Sequence, residues 1–324
     1  MPSLLVAVPL LAVIILNLPL GRLANRLALF TGLSLCLAQG VLVLMPSLSF
    51  WREPLSPLSD IFRSGIEVDG LSHVMFLSVA IVTAVALMLC RYWCDDEERR
   101  FKFANLVILT MVGLNGVVLA RDLFSLYVFL EVASVASFVL IAFERGRDAC
   151  EGSFKYIVLS AVASAMMLAS MALFLVTAGG VSFAAVFVSL AAPGVSPVAW
   201  LAVALFTGGL FVKSGTVPFH GWLPDAYSAA PAPASVLLAG IVTKTAGVYT
   251  LIRLVTSVFT PTPAIQSVLV AFGLLSILVG AVAAIGQRDV KRMLAYSSIS
   301  QVGYITLALD RKSTRLNSSH DQIS

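Results

Sequence analysis

Apolar residues run along this chain in blocks of about 20, parted by short polar punctuation. Each block is long enough, at about 1.5 Å per residue, to cross a hydrocarbon core of about 30 Å as a helix. The pattern predicts ten such helices at residues 3–20, 27–48, 71–90, 103–120, 122–143, 154–177, 199–217, 232–257, 265–286 and 291–309. Helices satisfy their own backbone polar groups, which lipid cannot do, so the expected fold class is all-α: a polytopic transmembrane helix bundle. Most connections are short. Residues 49–70, SFWREPLSPLSDIFRSGIEVDG, mix proline, charge and aromatics, and residues 178–198 are uncharged, with room for an interfacial helix.

Composition agrees. Hydrophobic residues make up 59% of the 324 and charged residues 12%, against about 45–50% and 25% in a soluble domain. The first apolar block begins at Met1 with no basic stretch before it and no small-residue cleavage pattern, and is expected to be a retained helix. Cys36 and Cys90 fall in or at the end of apolar blocks and Cys94 and Cys150 in polar loops, so no pair has metal-ligand or disulfide-framework spacing. With no phosphate loop and no nucleophile–base constellation, no metal or cofactor is expected in this chain.

The net charge of +4 needs no nucleic-acid partner, because basic residues beside membrane helices set topology. Arg22, Arg26, Arg91, Arg99, Arg100, Lys102, Arg145, Arg147, Lys155, Arg288, Lys291 and Arg292 fall on one side, twelve in all, against Arg52, Arg63 and Arg121 on the other. The richer side is expected to face the cytoplasm, which puts the N-terminus outside, and the membrane expected is the plasma (inner) membrane of a prokaryote.

Residues 310–324, DRKSTRLNSSHDQIS, break the pattern at Asp310. DRKSTRLNSSH resembles the translation of a common short-read sequencing adapter, so this tail is expected to be an artefact, with the natural frame continuing hydrophobically past Leu309. A solvated tail is the ordinary alternative. On the artefact reading His320 carries no functional weight.

Three ionisable residues lie well inside apolar blocks: Glu131 in DLFSLYVFLEVASVASFVL, Lys213 in LFTGGLFVKSGTVPF and Lys244 in LLAGIVTKTAGVYTLI. A charge at the bilayer centre costs about 2.5–3.5 kcal/mol on insertion scales, so such groups usually face a bundle interior and serve a pathway. The competing reading is a structural ion pair, with Glu131 neutralising one lysine. Two amines to one carboxylate still leave an unmatched group, and burial disfavours an unmatched charge, which suits an amine that exchanges protons.

The stretch after Lys213, KSGTVPFHGWLPDAYSAAPAP, adds a second signal. Pro218 and Pro224 lack backbone donors and Gly215 and Gly221 weaken a helix, so the helix is expected to break there. Broken backbone within a membrane is tolerated where it is buried in protein or lines a wet cavity, the usual setting of transporter ion sites. His220 on this stretch could relay protons, its unperturbed pKa being about 6.5, or hold the loop by hydrogen bonds. Asp225 reads first as a loop or cap residue, Asp122 as a helix cap, and His73 as a weaker candidate than His220. CDDEERR at 94–100 reads as a solvated loop, and Lys291 as a snorkelling topology residue.

PFHGWLPDAYSAAPAPASVLLAGIVTK together with RDVKRMLAYSSISQVGY strongly resembles the proton-conducting family shared by antiporter-like subunits of respiratory complex I, Mrp-type cation/proton antiporters and membrane-bound hydrogenases. The resemblance runs from about the third block to Leu309. It implies about fourteen helices, about ten of them present here, with two inverted five-helix repeats that each contain a broken helix. Residues 1–102 would be the N-terminal helices, 103–257 one complete repeat and 258–309 the start of a second, truncated one. It further implies a proton relay of Glu131, Lys213, Lys244 and His220, with Pro218, Phe219, Trp222, Pro224 and Asp225 forming the broken-helix motif. Lys213 would accept the proton, Glu131 would gate it and Lys244 would pass it on.

The function so implied is proton translocation as a subunit of an NADH:quinone oxidoreductase or related hydrogenase, with redox centres held by partner membrane subunits. Sodium/proton exchange in an Mrp-type assembly is the nearest alternative. A carrier of organic solutes would need a roomy pocket with polar groups suited to a ligand, and a non-conducting scaffold would use the charges only to lock helices.

Overall fold

Helix ends fall where the polar punctuation supplies caps. In the computed structural model the described residues are 2–18, 22–45, 68–259 and 262–320, with backbone alone described for residues 22, 23, 26 and 310–320. Helix α1 spans Leu4–Leu16, α2 Arg22–Leu44, α3 Gly70–Trp93, α4 Glu97–Leu119, α5 Leu123–Ile141 and α6 Arg147–Ala178. They are followed by α7 Phe183–Ala191, α8 Pro197–Ser214, α9 Trp222–Ala229, α10 Ala232–Ser257, α11 Pro263–Ile285 and α12 Val290–His320.

Side-chain oxygens of Asp69, Asp96, Asp122, Ser182, Ser196 and Thr262 accept hydrogen bonds from backbone N–H groups in the first turns of α3, α4, α5, α7, α8 and α11. Each cap contributes about 1 kcal/mol. Asp122 is thus the cap the sequence predicts.

Each of the ten expected apolar blocks contains helix among the described residues, and α7 lies within the uncharged 178–198 stretch. Among the described residues eight helices are long and apolar enough to cross a membrane. The chain is an integral membrane protein. Several bounds differ from expectation, among them that of α4, which begins at Glu97, so residues 97–100 of the segment expected as a solvated loop form its first turn. Helix α1 has only 13 residues and contains Pro9, so it measures about 20 Å, less than a hydrocarbon core. Helix α6 begins at Arg147 and has 32 residues, because the polar segment expected as a loop prolongs the helix beyond the apolar block. The backbone of α12 likewise runs past Leu309 to His320. The expected artefact at 310–324 concerns side chains and residues outside the described ones, as does most of the long 49–70 connection.

The chain divides into two units, Met1–Ser153 with Ala229–Thr245, and Phe154–Ser228 with Ala246–Ser324. In the first, α4 is the most buried of the spans and packs against α1, α2, α3 and α5. A buried amide pair ties four of these helices. Gln39 Nε2 donates to Phe76 O at 2.8 Å, and Asn115 Nδ2 donates to Gln39 Oε1 at 2.7 Å and to Leu5 O at 2.9 Å. Hydrocarbon offers these groups no other partner, so the network fixes register as well as contact. The opening turns of α10, Ala232–Leu237, pack on α3 and α5.

In the second unit α6 presents one stripe to its neighbours. Tyr156 stacks on Trp222 with ring centroids 4.3 Å apart, Ser170 Oγ donates to Ala202 O at 2.6 Å, and Phe174 lies 6.2 Å from Phe259. These positions recur at helical spacing and so share a face. Helices α11 and α12 pack along each other.

Candidate functional site

Helix α8 ends where the sequence predicts a break. Gly215 closes it in the left-handed region (φ 65°, ψ 33°), a conformation that costs a residue with a Cβ about 1–2 kcal/mol. The freed carbonyls find donors nearby: Thr216 N and Oγ1 donate to Phe211 O at 3.2 and 3.0 Å, and Trp222 Nε1 donates to Val212 O at 3.2 Å. Val217 N donates to Ser276 Oγ on α11 at 3.0 Å, the Val217–Pro218 peptide is cis, and helix resumes at Trp222. The break is therefore satisfied and held, as an interruption at membrane depth must be.

Lys213 occupies the last turn of α8 and is only 4% exposed. Its Nζ donates to Ser160 Oγ of α6 at 3.0 Å. The C-terminal end of a helix carries partial negative charge, which favours an ammonium there. A hydroxyl partner both gives and accepts hydrogen bonds, so it can serve the amine in either protonation state.

His220 lies on the break, its ring 6.4 Å from that of Tyr296 on α12 and edge-on to it. Its Nδ1 is buried and has no hydrogen-bond partner. Of the two sequence readings, holding the loop through this nitrogen is not what the geometry displays. Pro224 and Trp222 are buried, Phe219 half-buried and Pro218 exposed.

Asp225 lies in the first turn of α9 and forms two ion pairs. Its Oδ2 receives Lys155 Nζ of α6 at 2.7 Å and its Oδ1 receives Arg292 Nη2 of α12 at 2.7 Å. The two sequence motifs therefore meet in space: Arg292 and Tyr296, four residues apart on α12, face Asp225 and His220 of the break. On the other side Lys155, Tyr156 and Ser160 of α6 face Asp225, Trp222 and Lys213.

The first unit carries the other two intramembrane charges. Glu131 is half-buried on α5 and Lys244 half-buried on α10. Helix α10 is not regular. Leu238–Val242 and Lys244–Tyr249 are π-helical, so Lys244 opens a widened turn. Such turns occur mostly as single bulges and often at functional sites. Just beyond, Gly247 abuts α8: a Cβ there would stand 2.4 Å from Ser214 Cα. Sequence reasoning missed the π turns, Ser160, Ser276 and the two cations on Asp225. The legible signal was small polar residues set within apolar blocks, and basic residues already spoken for by topology.

An apolar cavity of about 640 Å³ lies between α8, the break and α11, lined in part by Trp200, Phe211, Phe219 and Phe272. It lacks the convergent polar groups that an organic solute would need. Among the described residues no group of three or more His, Cys, Asp or Glu is placed to hold a metal ion.

The transmembrane family described as NADH:quinone oxidoreductase/Mrp antiporter matches residues 120–317. The chain belongs to this family. NADH-quinone oxidoreductase subunit N of Desulforudis audaxviator is 33% identical over 322 residues, covering 95% of this chain and 63% of the relative. NADH-quinone oxidoreductase subunit N 1 of Rhizobium meliloti is 32% identical over 311 residues, with the same coverage. The chain thus spans less than two thirds of the length of these relatives.

Solved structures agree on the NADH:quinone oxidoreductase/Mrp fold. Respiratory complex I from Thermus thermophilus superposes with a TM-score of 0.75 at 31% identity, covering 95% of this chain and 64% of its own. The Mrp complex from Dietzia sp. DQ12-45-1b gives 0.84 at 27%, with 95% and 58% covered. The membrane-bound sulfane sulfur reductase, an archaeal respiratory membrane complex, gives 0.79 at 27%, with 95% and 64% covered.

Proposed function

We propose that this chain is a proton-translocating, antiporter-like membrane subunit of an NADH:quinone oxidoreductase or a related respiratory complex. The observation that carries the reading is Lys213: an amine 4% exposed, at the end of a broken helix, hydrogen-bonded to a serine hydroxyl. Such an amine takes up and releases a proton without any covalent chemistry. Lys213 would be the acceptor, Glu131 the gate and Lys244, on its π turn, the onward station, with His220 a further member of the relay. Residues 103–257 would form the translocating repeat. Moving one charge through 100 mV corresponds to about 2.3 kcal/mol, which is within reach of a change in one buried ion pair.

The partners so proposed are other membrane subunits that hold the redox centres, and the membrane is a prokaryotic plasma membrane with the N-terminus outside. The named relatives, NADH-quinone oxidoreductase subunits 33% and 32% identical across 95% of the chain, support redox coupling. The TM-score of 0.84 to an Mrp complex keeps sodium/proton exchange as the second reading.

The test is NADH-driven proton uptake in inside-out vesicles from cells carrying the chain in its complex. Lys213→Ala and Lys244→Ala should each abolish uptake while the subunit remains assembled. Normal uptake would sink the relay. Uptake that needs sodium and proceeds without NADH would favour the second reading.

A further inference from the structure

We propose that Asp225 is a positioning residue for the proton path: its carboxylate locks the break after α8 between α6 and α12, and so sets Lys213 against Ser160. The proposal rests on the proton-relay reading above and adds to it a residue outside the relay. Lys155 and Arg292 approach opposite oxygens of one carboxylate, each at 2.7 Å. One anion thus joins three chain segments that are remote in sequence. The Asp225 side chain is 21% exposed and its partners 42% and 40%, so the cluster sits at the edge of the buried site.

The lock is placed to act on register. Along α6, Lys155 meets Asp225, Tyr156 stacks on Trp222 and Ser160 receives Lys213, so these contacts run in order from the clamp to the amine. Between Asp225 and Lys213 the chain lacks the helical ladder that would otherwise fix spacing, because the helix is broken from Gly215 to Gly221. With both bridges to Asp225 lost, α9 and the break can shift against α6, and a hydrogen bond is lost within a few tenths of an ångström beyond its range. Arg292 ties the same carboxylate to the helix that brings Tyr296 to His220. Two cations on one anion also make the clamp redundant: losing either cation leaves one bridge.

The experiment measures protons taken up per NADH oxidised in inside-out vesicles of the assembled complex, with subunit content followed by immunoblot. Asp225→Asn keeps the shape and removes the charge; we expect its proton yield to fall at least threefold while NADH oxidation continues. Asp225→Glu, which restores the anion, should recover at least half of the yield. Lys155→Gln and Arg292→Gln should each have a small effect and together match Asp225→Asn, a non-additivity that independent surface charges do not produce.

If Asp225→Asn does not accumulate, the cation variants decide, since each retains a bridge. A wild-type yield in Asp225→Asn, or strictly additive cation variants, would overturn the proposal. Lys213→Ala separates the two levels. If it abolishes uptake while Asp225→Asn pumps normally, only the positioning role fails; if it pumps normally, the relay reading fails.

Discussion

Lys213 Nζ donates to Ser160 Oγ at 3.0 Å, bridging α8 and α6 beside a broken helix. A hydrogen bond to a charged group contributes about 1.5–3 kcal/mol, and a change of about 1.4 kcal/mol is about tenfold in an equilibrium. Ser160→Ala should therefore lower proton yield roughly tenfold in NADH-energised vesicles, with Ser160→Thr close to wild type. An undiminished yield in the alanine variant would reduce Ser160 to packing.

The contact of α10 with α8 depends on a missing side chain. A Cβ at position 247 would lie 2.4 Å from Ser214 Cα and 2.7 Å from Ser214 N, and backbone cannot yield as a side-chain tip can. Gly247→Val should lower the detergent-solubilised subunit's unfolding temperature, by overpacking of about 1–3 kcal/mol. An unchanged melting curve would mean that α10 is free to move away.

Trp222 has two separable roles, its stack on Tyr156 at 4.3 Å and its Nε1 bond to Val212 O at 3.2 Å. Trp222→Phe keeps an aromatic ring and removes one of two donors to Val212 O, which still accepts from Gly215 N at 3.2 Å, at a cost of about 0.5–1.5 kcal/mol. Trp222→Ala should cost more, about 3–5 kcal/mol, because a buried ring is lost as well. Equal thermal stabilities for the two variants would show that the stack contributes nothing.

Orientation has a chemical probe already in the chain. Cys150 is exposed, whereas Cys36, Cys90 and Cys94 are buried. With the basic loops facing the cytoplasm, a membrane-impermeant maleimide should label Cys150 in inside-out vesicles and spare it in intact cells. Labelling in intact cells would reverse the proposed topology.

Much of this was legible without coordinates. Block length and composition give a helical membrane protein, because hydrocarbon thickness fixes how many residues must be apolar, and the intramembrane charges Glu131, Lys213 and Lys244 stand out because lipid makes each costly. The prolines and glycines after Lys213 locate the break for an equally local reason. The C-terminal end of α1 and the N-terminal end of α6 were less legible, because a helix can stop short of its apolar block at one place and absorb polar residues at another.

The sequence by itself determined which residues are costly to bury and where helix cannot continue, since both follow from the chemistry of single side chains and their immediate neighbours. Tertiary structure alone decided the partners: that Ser160 meets Lys213, that Asp225 takes Lys155 and Arg292 from two different helices, and that α10 widens at Lys244. Those pairings join positions from 53 to 70 residues apart. They depend on how helices cross and slide against one another, which local pattern does not encode.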